Sequence, residues 1–221
     1  MVYLTGDTHG DIDRFRHGRL RWLSRRDTVV VLGDFGFVWD GSKEEQKKLD
    51  WLRKRPYTLL FLDGCHENYD LLAQYPTEER FGGTVQALGG NVYHVCRGSV
   101  LTLEGKKYLC FGGAESQDKE EREPGVNWWP QEMPSDEEYA RCEKTLEENG
   151  WQVDYVLTHD APSRFLELGE SNRLHLFLDK ILLKLHYEKW FFGCYHKDVA
   201  LSTKSRCVFC EIIPIEERHT K

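Results

Sequence analysis

The amino-acid sequence predicts an α/β fold, in which β-strands alternate with α-helices along the chain. Three observations support this prediction. Short apolar runs are separated by amphipathic stretches through most of the chain. The run at 28–32 is rich in β-branched residues, as buried parallel strands are. Five such runs lead into turns that contain Asp, His or Cys, and sites in open α/β sheets form beyond the carboxyl ends of strands.

Length and composition limit the classes of protein to which the chain can belong. With 221 residues, 40% of them hydrophobic, residues 1–221 are predicted to form a single domain. A net charge of −7 argues against nucleic acid or an acidic membrane as partner. No apolar stretch is long enough to span a bilayer, and the N-terminus has no signal-peptide pattern. Seven cysteines without the spacing of a disulfide scaffold favour a cytoplasmic protein, and the oligomeric state stays open.

The first part of the chain alternates strands with helices. Apolar runs predict strands at residues 2–5, 28–32 and 58–62. Spaced apolar residues predict a helix over residues 11–25 between the first two strands. A second helix is expected to begin at Ser42, since Glu45 follows three residues later in the pattern of a capping box. A short helix is expected after the third strand.

The middle of the chain is predicted to be different, with hairpins followed by a long loop. Short strands at 92–96, 99–103 and 107–111 are expected to form hairpins and to extend a second sheet. The polar stretch at about 113–134 is a possible lid, because loops of this length in compact domains commonly cover or bind something. A helix over 135–148 is expected to follow and to stop at Asn149 and Gly150.

The last part returns to the first pattern. Strands are predicted at 153–157 and 190–192, with an amphipathic helix over about 173–187 between them. A final pair of strands is expected at 200–202 and 207–213.

Residue types that bind metals follow five of the predicted strands. They are Asp7, His9, Asp34, Cys65, His66, His159, Cys194 and His196. Their recurrence after strand ends predicts a metal site assembled from distant parts of the chain. A carboxylate can bridge two ions, and two ions can hold the attacking and leaving oxygens of an in-line displacement. A histidine that binds no metal can serve as a proton donor, because its pKa lies near neutrality.

The motifs resemble those of the calcineurin-like metallophosphoesterases in order and spacing, from residue 6 to residue 198. They are Gly6-Asp7-x-His9-Gly10, Gly33-Asp34, Gly64-x-His66-Glu67, Thr158-His159 and Gly193-x-x-His196. The resemblance implies a four-layer α/β/β/α sandwich, with two mixed sheets flanked by helices. It also implies hydrolysis of phosphomonoesters or phosphodiesters by two divalent metal ions, with a small-molecule phosphoester as substrate.

The resemblance also implies a role for each matched residue. Asp7, His9 and His196 would bind the first ion. Asp34 would bridge both ions, and His159 would bind the second. His66 is similar in position to the family's histidine that protonates the leaving oxygen.

Two positions depart from the family pattern, and both belong to the second ion in the family. Cys65 stands where the family usually has asparagine, and Cys194 where it usually has histidine. Together with Asp34 and His159 they form a ligand set that favours Zn or Fe, with Mn possible, over magnesium or calcium. Two thiolates would also cancel much of the positive charge that holds phosphate, which predicts low activity on simple phosphoesters.

Several alternatives stay open from the sequence. Cys65 and Cys194 could bind an ion, could form a disulfide with each other, or could remain free thiols. The corresponding alternative function is a catalytically weak or inactive metal-binding or redox-responsive protein. A nuclease is a third possibility, against which the acidic charge weighs. The pair Trp128-Trp129 could line a substrate groove or anchor the long loop, and Arg97 could reach phosphate or simply form a turn.

Overall fold

Two β-sheets lie face to face in this structure, a computed structural model in which residues 1–165 and 171–216 are described. The strands of the described residues, numbered along the chain, are β1 (Val2–Thr5), β2 (Thr28–Val31), β3 (Thr58–Phe61), β4 (Thr77–Arg80), β5 (Gly83–Gly89), β6 (Val92–Val95), β7 (Ser99–Leu103), β8 (Lys106–Phe111), β9 (Tyr155–Thr158), β10 (Lys189–Phe192), β11 (Val199–Ala200), β12 (Ser205–Cys207) and β13 (Ile213–Pro214). The helices are α1 (Asp13–Arg16), α2 (Lys43–Arg53), α3 (Tyr69–Leu72), α4 (Asp136–Glu148) and α5 (Arg173–Lys184).

Both sheets are mixed. The first has the order β13-β1-β2-β3-β6-β5-β4, in which β1, β2, β3 and β6 are parallel and the other strands are antiparallel to their neighbours. The second has the order β11-β12-β10-β9-β8-β7, with a parallel centre from β12 to β8 and an antiparallel strand at each edge. The prediction of an α/β fold with two mixed sheets is confirmed.

Three apolar clusters hold the layers together. Between the sheets, residues such as Val30 and Leu60 meet Leu157 and Phe191. On the outside of the first sheet, a second cluster includes residues of β2 and β3 together with α1 and α2. On the outside of the second sheet, a third cluster includes residues of β9 and β10 with α4 and α5. The central parallel strands β2, β3, β9 and β10 are therefore buried on both faces, which explains their nearly continuous apolar runs.

The predicted helix over residues 11–25 is wrong in its length. The structure has the single turn of α1, followed by a 3₁₀-helix at Gly18–Trp22. His17 is extended, with φ −115° and ψ 172°, and Gly18 has φ +62°. A left-handed glycine readily ends a helix, and this one overrides the apolar spacing.

Two other predictions of strands need correction. The strand predicted at 92–96 is β6, and it lies in the first sheet rather than the second. The run predicted as one strand at 207–213 is divided between β12 in the second sheet and β13 in the first. The sequence reasoning also missed β4, whose four residues are all exposed, and β5. Because β4 is polar throughout, it has no apolar pattern to detect.

The capping of α2 was predicted only in part. Ser42 is the N-cap and accepts the N–H of Glu45 at 3.1 Å. The Glu45 carboxylate does not return to the N–H of Ser42 but accepts those of Trp39, Asp40 and Gly41. Glu45 therefore fixes the loop before the helix. The N-cap of α4 at Ser135, by contrast, has both bonds of a capping box.

Arg97 is a buried structural residue and cannot reach phosphate from the turn between β6 and β7. Its guanidinium is 3% exposed and donates to Asp63 from Nε at 2.8 Å and to Glu138 from Nη1 at 3.0 Å. It also donates to the carbonyl oxygens of Gln131 and Glu132 at 2.8 and 3.1 Å. Arg97 thus ties the end of β3 to the long loop and to α4.

The helices of the structure bear on the prediction about membranes. Among residues 1–165 and 171–216, no helix is both long and apolar enough to cross a bilayer. That residues 1–221 form one domain and that the protein is cytoplasmic remain predictions.

Replacing Arg97 with alanine should destabilise the fold by about 3–5 kcal/mol, because the fully buried Asp63 would lose its main counter-charge. The matched control is Arg122→Ala. Arg122 pairs at 2.8 Å with Asp118, whose carboxylate is 55% exposed, and loss of this solvent-accessible pair should cost less than about 1 kcal/mol. Urea denaturation of the three proteins measures both values. Equal stability of the Arg97 and Arg122 variants would contradict the role of Arg97.

Candidate metal centre

The candidate ligands lie where the carboxyl ends of strands from both sheets meet. β1, β2 and β3 of the first sheet and β9 and β10 of the second each run into a turn that contains one or more of them. Glycines allow these turns to approach one another. A Cβ at Gly33 would lie 2.1 Å from His159 Nδ1, and one at Gly64 would lie 2.2 Å from Asp34 Oδ1. Side chains at these glycines would push the ligand residues apart.

Backbone strain is concentrated at the same place. Among the described residues, seven that are not glycine have positive φ, and four of them are candidate ligands: His9 (44°), Asp34 (48°), Cys194 (64°) and His196 (49°). The left-handed region is uncommon for residues with a Cβ, and strain of this kind persists where the surrounding structure enforces it. The turns therefore hold these four side chains in orientations that a relaxed backbone would not give.

The first group of ligand atoms comes from Asp7, His9 and His196, and these atoms all lie within 4.8 Å of one another. His196 Nε2 is 3.0 Å from Asp7 Oδ2, and His9 Nε2 is 3.1 Å from His196 Nε2. Two ligands on one tetrahedral ion with bonds of about 2.05 Å lie about 3.3 Å apart. The first group is therefore spaced as ligands of a single ion would be.

A second group comes from Asp34, Cys65 and His159, again with ligand atoms within 4.8 Å of one another. Asp34 Oδ1 is 3.5 Å from His159 Nε2, and Asp34 Oδ2 is 3.7 Å from Cys65 Sγ. A sulfur and an oxygen on one tetrahedral zinc lie about 3.6 Å apart, so this spacing also fits one ion.

Cys194 lies beside this second group without being part of it. Its backbone N–H donates to Asp7 Oδ1 at 3.0 Å, and burial raises the pKa of its thiol to about 12. All seven cysteines are free thiols in this structure, so Cys65 and Cys194 are not joined.

Asp34 links the second group to the first through His9, whose Nε2 is 3.9 Å from Asp34 Oδ2. It also belongs to a third group of candidate ligands, with His9 and His66. Its carboxylate accepts the backbone N–H of His66 at 2.8 Å, and His66 Nδ1 is 2.9 Å from Oδ2. His66 is thus hydrogen-bonded to the central carboxylate, with 37% of its side chain exposed.

The electrostatics show that the buried carboxylates require positive charge. Burial alone would raise the pKa of Asp34, but His159 and His66 hold it well below its usual range. In return, the hydrogen bond to Asp34 raises the pKa of His66 to about 10. Burial would lower the pKa of His159, yet the facing Asp34 raises it well above its usual value. Without an ion, protonated imidazoles therefore supply the positive charge.

Two buried atoms with no hydrogen bond show that the residues present fit bound cations. Among the described residues, Asp7 Oδ2 and His159 Nε2 are buried and make no hydrogen bond; His196 Nε2 lies 3.0 Å from Asp7 Oδ2 but is not oriented to donate to it. His159 Nδ1 donates to the carbonyl oxygen of Leu32 at 2.7 Å, which directs Nε2, the nitrogen that would bind an ion, towards Asp34. This is the usual way in which a second contact orients a metal-binding histidine.

The sequence was compared with known proteins. A family model described as "Calcineurin-like phosphoesterase" matches residues 1–194. The chain belongs to the calcineurin-like phosphoesterases. Membership supports metal-dependent hydrolysis of phosphoesters, and the resemblance stated from the motifs is confirmed.

No curated protein matches this sequence significantly. Two solved structures are similar at low identity. The phosphopantetheinyl hydrolase from Mycobacterium tuberculosis has a TM-score of 0.42 and 14% identity, and the match covers 94% of this chain and 87% of that one. A protein of unknown function from Aquifex aeolicus has a TM-score of 0.33 and 16% identity, with 85% and 87% covered.

The sequence reasoning missed two residues of this calcineurin-like phosphoesterase that organise the site. Glu67 is fully buried and accepts the N–H of Phe35 at 2.6 Å and that of Gly64 at 2.8 Å, so it joins the turns after β2 and β3. Its position next to His66 in the third motif could have revealed it. Phe209 stacks on His196, with ring centroids 4.6 Å apart. No local pattern indicates Phe209, which lies beyond the matched residues.

Hydrogen bonds to both its carbonyl oxygen and its N–H fix the backbone of Phe209. Its carbonyl oxygen accepts the N–H of Gly6 at 2.9 Å and Nη1 of Arg14 at 2.6 Å. Its own N–H donates to Asp198 Oδ1 at 2.7 Å. The ring is therefore a fixed surface against which His196, whose side chain is 52% exposed, is oriented.

The long loop at 113–134 is anchored by Trp129. Its ring is 3% exposed, and its Nε1 donates to Asp70 at 2.9 Å. Of the two roles considered for the tryptophan pair, anchoring fits Trp129. Asp118 and Arg122 of the loop pair with each other, and the charge of His66 contributes to lowering the pKa of Asp118 after the larger effect of Arg122. Trp129 also meets Trp39, which adjoins His66, so the loop borders the site, and its action as a lid remains a prediction.

Replacing Phe209 with alanine should weaken Co²⁺ binding about tenfold, because His196 would lose the surface that orients it. Phe209→Tyr keeps the ring and should bind Co²⁺ nearly as the wild type does. Titration of the metal-free proteins with Co²⁺, followed by visible absorption, measures the change. Equal affinity of the alanine variant would contradict this role, provided that circular dichroism shows all three proteins folded.

Proposed function

We propose that this calcineurin-like phosphoesterase hydrolyses small phosphoesters at a centre for two divalent ions. Asp7, His9 and His196 would hold the first ion, and Cys65 and His159 the second. Asp34 would be shared between them. The observation that carries the proposal is that three groups of ligand atoms, each within 4.8 Å, form a continuous series: His9 belongs to the first and third groups, and Asp34 to the second and third.

The reaction divides between the ions and the residues of the chain. Two bound divalent ions would supply Lewis acidity, which neutralises phosphate charge and lowers the pKa of an attacking water. Asp34 fixes the spacing of the ligands, because one oxygen faces His159 and the other faces Cys65 and His9. His66 holds a proton at neutral pH, since Asp34 raises its pKa to about 10, and it would give that proton to the leaving oxygen.

The thiols would set the metal preference of the second position. Cys65 lies within the second group, and the thiol of Cys194 adjoins that group next to His159, so Cys194 would be the fourth ligand. Thiolates favour zinc or iron and disfavour magnesium. Two divalent ions carry a charge of about +4, which two aspartates reduce to about +2, and two thiolates would remove the remainder. Phosphate would then be held less strongly than at a centre with neutral ligands in their place.

Protein purified without added metal should contain zinc or iron rather than magnesium, since sulfur ligands select the softer ions. Elemental analysis by mass spectrometry measures this. Cys65→Asn, which restores the residue usual in the family, is the matched variant and should shift the preference towards manganese. High turnover of the wild type with magnesium alone would contradict the proposed ligand set. Assays should use p-nitrophenyl phosphate and its bis-ester with Mn, Fe, Zn and Mg.

His66→Ala should lower kcat for an alkyl phosphate by about a hundredfold or more, because an alkoxide leaves only when it is protonated. The loss should be smaller for p-nitrophenyl phosphate, whose leaving group needs little protonation. Steady-state kinetics with both substrates measures the difference. The matched control is His17→Ala at an exposed position. An equal loss with both substrates, or loss of bound metal, would show that His66 acts otherwise.

A further inference from the structure

An aromatic corner, formed by Trp39, Trp129 and His66, adjoins the candidate metal centre. The ring centroids of Trp39 and His66 are 5.9 Å apart, with 36° between the ring planes. Trp129 meets Trp39 edge-to-face, with centroids 5.6 Å apart. The metal-binding role proposed above uses neither tryptophan. Trp39 is half-buried, so the residue keeps some exposed surface.

Trp39 is held rigidly in this corner. Its N–H donates to the Glu45 carboxylate, which also accepts the N–H groups of Asp40 and Gly41. Its carbonyl oxygen accepts Nδ2 of Asn68 at 2.9 Å. Trp129 is fixed in turn by its bond to Asp70. With its backbone fixed and its ring packed on Trp129, Trp39 loses little conformational entropy when a ligand packs on it.

Trp39 lies beside His66, the residue proposed to protonate the leaving oxygen, and is therefore near the leaving group. Nδ1 of His66 is engaged by Asp34, so the proton for a leaving oxygen would come from Nε2, the other ring nitrogen. That oxygen must lie within hydrogen-bond distance of Nε2. The substituent on the oxygen therefore lies on the same side as His66, close enough to pack against the indole of Trp39.

The charges around the corner favour a neutral substituent. Asp70 brings a carboxylate to its edge, where it accepts Nε1 of Trp129 at 2.9 Å. An anionic substituent would be repelled by this carboxylate. A flat, uncharged ring would instead gain from the indole, because aromatic rings prefer neighbours at centroid distances like those seen here.

We propose that Trp39 forms a subsite for a neutral aromatic leaving group, so that the substrate is the phosphate ester of an aromatic or arylmethyl alcohol. The subsite rests on the proposed function, because His66 defines where the leaving oxygen lies. Trp39 contacts the substituent and not the phosphate. It therefore sets specificity among phosphoesters without contributing to the displacement itself.

Binding of phosphonates, which cannot be hydrolysed, tests the subsite by calorimetry with the metal-loaded protein. The wild type should bind benzylphosphonate about fivefold more tightly than cyclohexylmethylphosphonate, which has a saturated ring of similar size. Trp39→Ala should bind the two equally, and Trp39→Phe should keep most of the preference. The matched control is Trp22→Ala, at a tryptophan that is 79% exposed outside the corner, and it should keep all of the preference.

Three results would overturn the subsite. The first is no preference in the wild type, which includes failure of both phosphonates to bind. The second is a preference that survives in Trp39→Ala, and the third is equal weakening of the binding of both ligands by that variant. Hydrolysis of benzyl phosphate and cyclohexylmethyl phosphate separates this outcome from failure of the proposed function. A wild type that prefers benzylphosphonate but hydrolyses neither ester keeps the subsite and loses the function. Hydrolysis of both esters without an aromatic preference in binding keeps the function and loses the subsite.

Discussion

The buried carboxylate of Asp34 is the constraint on which the rest of the site depends. A charged carboxylate that is 3% exposed is costly unless positive charge or hydrogen bonds compensate for it. Here the N–H and imidazole of His66 and the ring of His159 surround it. Its left-handed backbone also turns its carbonyl oxygen towards the first motif, where that oxygen accepts the N–H groups of Thr8 and His9 at 3.0 and 2.9 Å. One residue therefore sets both the charge and the geometry of three turns.

The sheets make this arrangement possible because they bring distant turns to one edge. The parallel strands β1, β2 and β3 deliver three turns, and β9 and β10 of the facing sheet deliver two more. Glycines at the ends of the strands permit contacts that any side chain would prevent. Glu67 then locks two of the turns together through their N–H groups. The strain at the candidate ligands is thus balanced by contacts that lie outside the ligand set.

The sequence predicted the features whose signal is local. Buried strands such as β2 are apolar throughout, and each glycine followed by a ligand type marks a strand end. It failed where the deciding contact is distant in sequence or where a residue is polar. The helix over 11–25 breaks because of the conformations of His17 and Gly18, and β4 is recognised only by its pairing with β5. Phe209 is 13 residues from His196 in the chain and has no motif of its own. Its role exists only because Gly6, Arg14 and Asp198 hold it beside that ring.

The sulfurs of Cys65 and Cys194 would affect both the choice of metal and the kind of leaving group that the site can accept. If thiolates neutralise the charge of the second ion, the ion stabilises the departing oxygen less. Departure then depends more strongly on protonation by His66. A less basic leaving group, such as a phenol, needs less stabilisation by a metal ion and less protonation. An aromatic surface beside His66 and a weakened positive charge near the leaving oxygen would then suit the same class of ester. The charge at Cys65 and Cys194 and the ring of Trp39 are separate features of the chain, yet a phenol ester, which has an aromatic ring and a leaving group of low basicity, would suit both.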